Sequence, residues 1–209
     1  MTSCQSLHEW AHTLPAFRFP FDALLIPKNG IYFLFEKGER GHGGARIVRV
    51  GTHTGEGQLR ARLKQHFITP NKDRSIFRKN IGRALLSRDS DPFLADWEID
   101  LTPAAARTKH ERHINTKKLK SVEEIVSDRI QDTFSFAVIR VDTKDDRLRL
   151  ESRLISTVSL CTDCKPSAKW LGNFSPKDKI RESGLWIVNE LYKEPLAEKN
   201  FTRLKRAVL

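Results

Sequence analysis

The chain has 209 residues, with 37 Lys+Arg against 26 Asp+Glu and a formal charge of +11. Apolar residues at 39% and charged residues at 30% describe a globular chain with a core and exclude a disordered tail or a collagen-like repeat. No apolar run approaches the roughly 18–20 residues of a transmembrane helix, no basic-then-apolar leader opens the chain, and three cysteines cannot staple a fold of this size, so the reducing cytoplasm is the expected compartment.

Residues 5–14 read as a short amphipathic helix, with Leu7, Trp10 and Leu14 at helical spacing. Pro15, Pro20 and Pro27 punctuate an irregular approach to a strand, Gly30–Glu36. On that strand Ile31, Phe33 and Phe35 share one face, and Tyr32 and Leu34 the other. Lys37–Gly44 has the glycine content of a hairpin loop, and Ala45–Gly51 is the returning strand. A helix over Leu59–Phe67 carries a stripe of Leu59, Leu63 and Phe67. A second, over Ser75–Leu86, places Phe77, Ile81, Ala84 and Leu85 on one side. Phe93–Ile99 reads as a short strand, and Ala104–Lys120 as a basic helix that continues after a break into Val122–Ile130. Phe134–Val141 is a strand, Asp145–Leu160 a helix, and a terminal helix is expected near Ala197–Ala207. The pattern is α+β without an internal repeat.

Positive charge is dense in Arg60–Lys64, Arg78–Arg88, Arg107–Lys120 and Arg203–Arg206. Such a surface attracts phosphates, nucleic acid above all, although solvated helix faces carry the same runs. Three positions stand out chemically. Glu151 falls within about 60° of Leu148, Leu154, Ile155 and Val158 on a helical wheel, so a carboxylate sits in an apolar stripe. That is costly unless the group is paired with an arginine or binds a metal. Arg62 and His66 are four residues apart on one helix face, a cation suited to phosphate beside an imidazole that can relay a proton. Tyr32 stands on a strand beside Gly30.

Taken in order, Gly30-Ile31-Tyr32 on a strand, Arg49-Val50-Gly51-Thr52 on the next, Leu59-x-x-Arg62-Leu63-x-x-His66 on a helix, Glu151 on a later helix and a downstream Asn173 resemble the GIY-YIG nuclease family. The resemblance implies a compact antiparallel sheet of about three strands flanked by helices. It also implies metal-dependent hydrolysis of DNA phosphodiesters, with one Mg²⁺ or Mn²⁺ per site. By that resemblance Glu151 would hold the metal, Arg62 steady the transition-state phosphate, Tyr32 position or activate water, His66 assist proton transfer and Asn173 order the site. Arg49, Lys64, Arg78 and Lys79 are the expected substrate contacts. Arg49 stands where the family has its second tyrosine, and a guanidinium cannot act as a general base.

The expected organisation is an N-terminal helical extension over 1–29, a nuclease-like domain over 30–175 with a basic helical insertion around 91–131, and a C-terminal extension over 176–209 packed on the same domain. A non-catalytic nucleic-acid-binding protein on the same fold, or an RNA-processing nuclease, is the alternative. Cutting both strands of duplex DNA from one site requires a homodimer or two successive events. Cys161-x-x-Cys164 and His110-x-x-His113 could together offer four zinc ligands, but their separation is long and neither shows a metal-binding turn in the sequence. The sequence reading is therefore a reduced thiol pair and a solvated basic helix.

The charge generates the first prediction. The logarithm of DNA affinity should fall linearly and steeply with the logarithm of salt concentration, measured by fluorescence titration; a flat response would contradict nucleic-acid binding.

Overall fold

In the computed structural model, which describes residues 3–110, 113–197 and 200–201, the chain forms one antiparallel sheet with helices on both faces. Helix α1 (Ser3–Thr13) leads into a short edge strand β1 (Ala16–Arg18), then the long hairpin β2 (Gly30–Gly41) and β3 (Gly44–Gly51). Helices α2 (Leu59–Phe67), α3 (Ile76–Arg88), α4 (Leu94–Glu98), α5 (Ala104–His110) and α6 (Thr116–Thr133) follow. Strand β4 (Phe134–Arg140) returns to the sheet before α7 (Lys144–Ser159), a 3-10 turn at Leu171–Phe174 and α8 (Asp178–Ser183). The strand order is β1-β4-β2-β3, so β2 is central, with Tyr32 opposite Val138 on one side and Gly51 on the other. Among the described residues no helix is long and apolar enough to cross a membrane.

The expected alternation on β2 divides the core. Tyr32 and Leu34 pack into a cluster with Leu59, Phe67, Phe77, Val126 and Phe136 under α2, α3 and α6. Ile31, Phe33 and Phe35 join Leu7, Trp10, Ile155 and Val158 under α1 and α7. Between the pairs Leu34–Arg49 and Phe35–Ile47 the register skips Val48. This one-residue bulge puts Val48 in the same cluster as Tyr32 and leaves the neighbouring Arg49 within reach of the Tyr32 hydroxyl.

Several expectations change. Lys37–Gly44 is not a loop: both strands run through it, and only His42 (φ 50°) and Gly43 (φ 79°) make the turn. Two successive positive φ values are what a tight hairpin turn needs to match strand twist. A buried pair, Arg46 to Glu39 at 2.8 Å, explains why the hairpin stays regular so far out. Phe93–Ile99 is helical rather than a strand, because Asp91 opens a turn by accepting from the backbone N–H of Phe93 at 2.9 Å and Pro92 suits a helix start. The irregular approach contains β1, paired with β4 over Ala16–Arg18, which makes four strands. On α7 Leu148 is exposed and Arg147 is buried in its place. The terminal helix expected near Ala197–Ala207 lies mostly outside the described residues, of which Asn200 and Phe201 are helical.

One buried carboxylate joins the C-terminal segment to the central strand. Glu36, 3% exposed, accepts at Oε2 from the indole N–H groups of both Trp170 and Trp186 at 2.9 Å. Its Oε1 accepts from Arg129 of α6 at 2.7 Å. Removing the carboxylate strands two buried indole donors and a partly buried cation. Glu36→Ala is expected to cost about 3–5 kcal/mol in urea unfolding; a loss below about 1 kcal/mol, the level of an exposed pair, would contradict this role.

Candidate active site

Two glycines set the geometry at one end of β2 and β3. A Cβ on Gly51 would lie 2.2 Å from the Tyr32 hydroxyl, so only glycine lets the phenol cross the neighbouring strand. A Cβ on Gly30 would lie 2.1 Å from the carbonyl oxygen of Ile139, so β2 and β4 also meet through a bare backbone. The Thr52 hydroxyl donates to the Gly30 carbonyl at 2.6 Å, and the Gly30 N–H donates to His53 Nε2 at 3.3 Å. The end of β3 is thereby fastened to the start of β2.

Tyr32 is fully buried, and its hydroxyl shares a 2.8 Å hydrogen bond with His66 Nε2. His66 Nδ1 shares another, 2.7 Å long, with Ser75 Oγ. Ser75 is the N-cap of α3 and also accepts from the Arg78 N–H. Arg49, 4% exposed, donates from Nε to the Tyr32 oxygen at 3.3 Å, donates a further N–H to the Trp186 carbonyl, and lies over the Phe77 ring. Burial first, then the charges of Arg62, Arg49 and Arg78, holds the His66 pKa well below its ordinary value. At neutral pH His66 is therefore uncharged, one nitrogen donating and the other accepting.

Glu151 approaches from α7 on the other face of the sheet. Its Oε1 accepts from the Thr52 backbone N–H at 2.9 Å. Burial raises its pKa, opposed by Arg49, the Thr52 hydrogen bond and Arg62, while the carboxylate of Glu190 adds to the rise. Among the described residues no cation forms an ion pair with it. The structural salt bridge that could have explained a carboxylate in this stripe is not made.

Beside Thr52 opens a cleft of about 280 Å³ lined by Thr52, His53, Arg62 and Gln65 among others. Arg62 is held at its wall by Gln65 Oε1 at 3.2 Å and the Arg74 carbonyl at 2.9 Å, both of which accept from it. A larger cleft of about 480 Å³ lies between residues 70–74 and α6, bordered by Arg74, Arg107 and Lys120. None of the motif residues lines it, so its size does not make it the site.

Tyr32, Arg49, His66 and Glu151 thus converge on Gly51-Thr52, with Arg62 at the cleft. Asn173 is placed differently: its amide donates to the Ser167 and Ala168 carbonyls at 3.0 and 3.2 Å and orders the turn before Trp170. Lys64 is exposed on α2. Arg78 is fully buried, paired with Glu123 at 2.7 Å and bonded to the His66 carbonyl, so its guanidinium ties α3 to α6 and α2. Lys79 donates to Asp73 and the Glu98 carbonyl. Neither of these two cations presents its charge to solvent. The sequence reading missed Ser75, His53 and Glu190. Ser75 carried a signal as a serine one residue before a helix; the other two carried none.

A family model described as the GIY-YIG domain matches residues 20–209. No curated protein and no solved structure matched the chain.

Buried His66 fixes a pH dependence. An unfolded histidine titrates near about 6.5, and the folded one is held lower, so the unfolded state binds more protons as pH falls. The stability this represents is complete above about pH 6.5 and is lost progressively below it. Melting temperature should drop between pH 7.5 and 5.5, and less steeply for His66→Gln; equal slopes would contradict the assignment.

Proposed function

The chain belongs to the GIY-YIG family, a nuclease-type family, and from that premise we propose that it is a metal-dependent endonuclease hydrolysing DNA phosphodiester bonds at a single site. Glu151 is the observation that carries the reading. A half-buried carboxylate costs stability without a counter-charge, yet among the described residues this one has no ion-pair partner, and it commits one oxygen to the Thr52 N–H. Hard oxygen donors suit Mg²⁺ or Mn²⁺, and a single carboxylate leaves the other coordination positions to water and substrate. Such an ion, held by Glu151, would supply positive charge at a phosphate oxygen.

The chain's own residues account for the rest. Thr52 fixes the rotamer of the carboxylate through its N–H. Arg62, at the wall of the cleft, offers a planar donor fork to the phosphate where negative charge develops. Tyr32, His66 and Ser75 form a hydrogen-bonded line, so a proton leaving the Tyr32 hydroxyl has neutral His66 Nε2 to receive it. Arg49 cannot take that proton, but its Nε–H already points at the same oxygen and would stabilise negative charge there. The motif's second tyrosine is thus replaced by a group that supports the first. Exposed Lys64, with Arg107 and Lys120 at the larger cleft, is proposed to hold the DNA backbone.

The test is supercoiled plasmid with and without Mg²⁺ or Mn²⁺, for the wild type, Glu151→Gln and Arg62→Ala. The wild type should nick or cut only with metal. Glu151→Gln should abolish cleavage while retaining DNA binding, with stability unchanged or higher by up to about 1–2 kcal/mol, because an amide is cheaper to bury. Arg62→Ala should lower turnover by about 10²–10³-fold while weakening binding only modestly. DNA binding without cleavage under any metal would favour a non-catalytic protein, and cleavage confined to RNA would replace the substrate.

A further inference from the structure

All three cysteines of the chain meet at one point. Cys4 comes from α1, while Cys161 and Cys164 follow the end of α7; His42, at the tip of the β2–β3 hairpin, joins them. The four ligand atoms lie within 4.8 Å of one another. Cys4 Sγ is 3.6 Å from Cys164 Sγ, and His42 Nε2 is 3.2 Å from Cys161 Sγ. We propose that Cys4, His42, Cys161 and Cys164 form a structural Zn²⁺ site that fastens the N-terminal helix, the hairpin tip and the end of α7 together.

The geometry suits that ion. Zinc–sulfur bonds of about 2.3 Å in a tetrahedron put ligand atoms about 3.8 Å apart, close to the separations found here. Three thiolates and an imidazole are a closed structural set, and two of the four residues, Cys4 and Cys164, are buried. The surroundings are shaped to the cluster. The backbone N–H groups of Asp163 and Cys164 donate to Cys161 Sγ, a turn that presents two sulfurs to one point and that the sequence alone did not reveal. A Cβ on Gly41 would lie 2.9 Å from the Cys164 Cβ, so the hairpin approaches the turn as closely as a bare backbone allows. His42 adopts a left-handed φ of 50°, which is uncommon for a residue with a side chain and aims the imidazole from the hairpin tip. His8, whose ring is 5.0 Å from that of His42, bonds the Cys4 carbonyl at 2.9 Å and accepts from the Ile47 N–H at 3.1 Å, which joins α1 to β3 next to the cluster.

From the sequence, His110 and His113 are the histidines to weigh beside the Cys-x-x-Cys, and a reduced thiol pair is expected; in the fold His110 is on α5 and neither histidine is in the cluster. The partners are instead one distant cysteine and one hairpin histidine. The site lies at the far end of the β2–β3 hairpin from Gly30 and just past the end of α7, with Cys161 ten residues on from Glu151, roughly 15 Å at the rise of a helix. It is therefore separate from the Glu151 cation and independent of the nuclease reading.

The test uses the full-length chain, grown in zinc-supplemented medium and purified without chelator. Elemental analysis should find about one zinc per chain. Replacement by Co²⁺ should give the intense ligand-field and sulfur-to-metal absorption of a tetrahedral thiolate site. Cys161→Ser combined with Cys164→Ser should lose the metal, whereas His113→Ala and Glu151→Gln should keep it. Zinc-free wild type that gives only a weak octahedral Co²⁺ spectrum would overturn the proposal. So would a Cys161–Cys164 disulfide in freshly purified protein, or zinc retained at full stoichiometry by the double variant. If the double variant does not fold, the wild-type Co²⁺ spectrum decides alone. Glu151→Gln that lacks cleavage but retains zinc separates the two metal sites.

Discussion

A guanidinium with almost no access to water has to find its partners inside the protein, and Arg49 does so at the centre of the site. It donates to the Tyr32 hydroxyl and the Trp186 carbonyl, covers the Phe77 ring, and lends its charge to Glu151 and His66. Each contact has a consequence. The charge helps keep His66 neutral and opposes the upward shift that burial gives the Glu151 carboxyl. Those effects act in the same direction, since a nearby positive charge favours the deprotonated form of the imidazole and of the carboxylate alike. A tyrosine at this position would do neither. The arginine in the second motif therefore ties Tyr32, Trp186 and Phe77 together where a tyrosine would offer no charge.

Arg49 also makes the C-terminal segment part of the site. Trp186 spends its carbonyl on Arg49, its backbone N–H on Val48 and its indole N–H on Glu36. The same Glu36 oxygen holds Trp170, whose turn Asn173 orders. Residues far along the chain thus hold β2 and β3 together over the stretch where Tyr32 and Arg49 meet. At the other end of the hairpin, the cysteine and histidine cluster and the Arg46–Glu39 pair perform the corresponding task. The long central hairpin is thereby supported at both ends.

Strand alternation on Gly30–Glu36 and the helical stripes of α2 and α7 were readable, because one buried face imposes a period that no other structure shares. That Tyr32 stands on a strand, Arg62 and His66 on one helix and Glu151 on a later helix was likewise readable from the sequence. Phe93–Ile99 was misread because a short apolar run has no period, and the Asp-Pro start that decides for helix lies just before it. Arg78 and Lys79 looked like surface cations because nothing in the sequence announces that Glu123, Asp73 and Glu98 lie opposite them. Likewise Cys4 and His42 are separated from Cys161 by more than a hundred positions, and only the folded hairpin carries His42 to the thiols. Local pattern reports periods and caps; partners brought from afar by topology leave no local trace.

Glu151, which has no ion-pair partner among the described residues, is proposed to be kept for a divalent cation beside Thr52. The most direct measurement is a titration of isotopically labelled protein with substoichiometric Mn²⁺, followed by paramagnetic broadening of amide resonances. Gly51, Thr52, His53 and Glu151 should broaden first, and Glu151→Gln should remove the effect while leaving the diamagnetic spectrum of the fold intact. Broadening that begins elsewhere, or that persists unchanged in Glu151→Gln, would contradict that role.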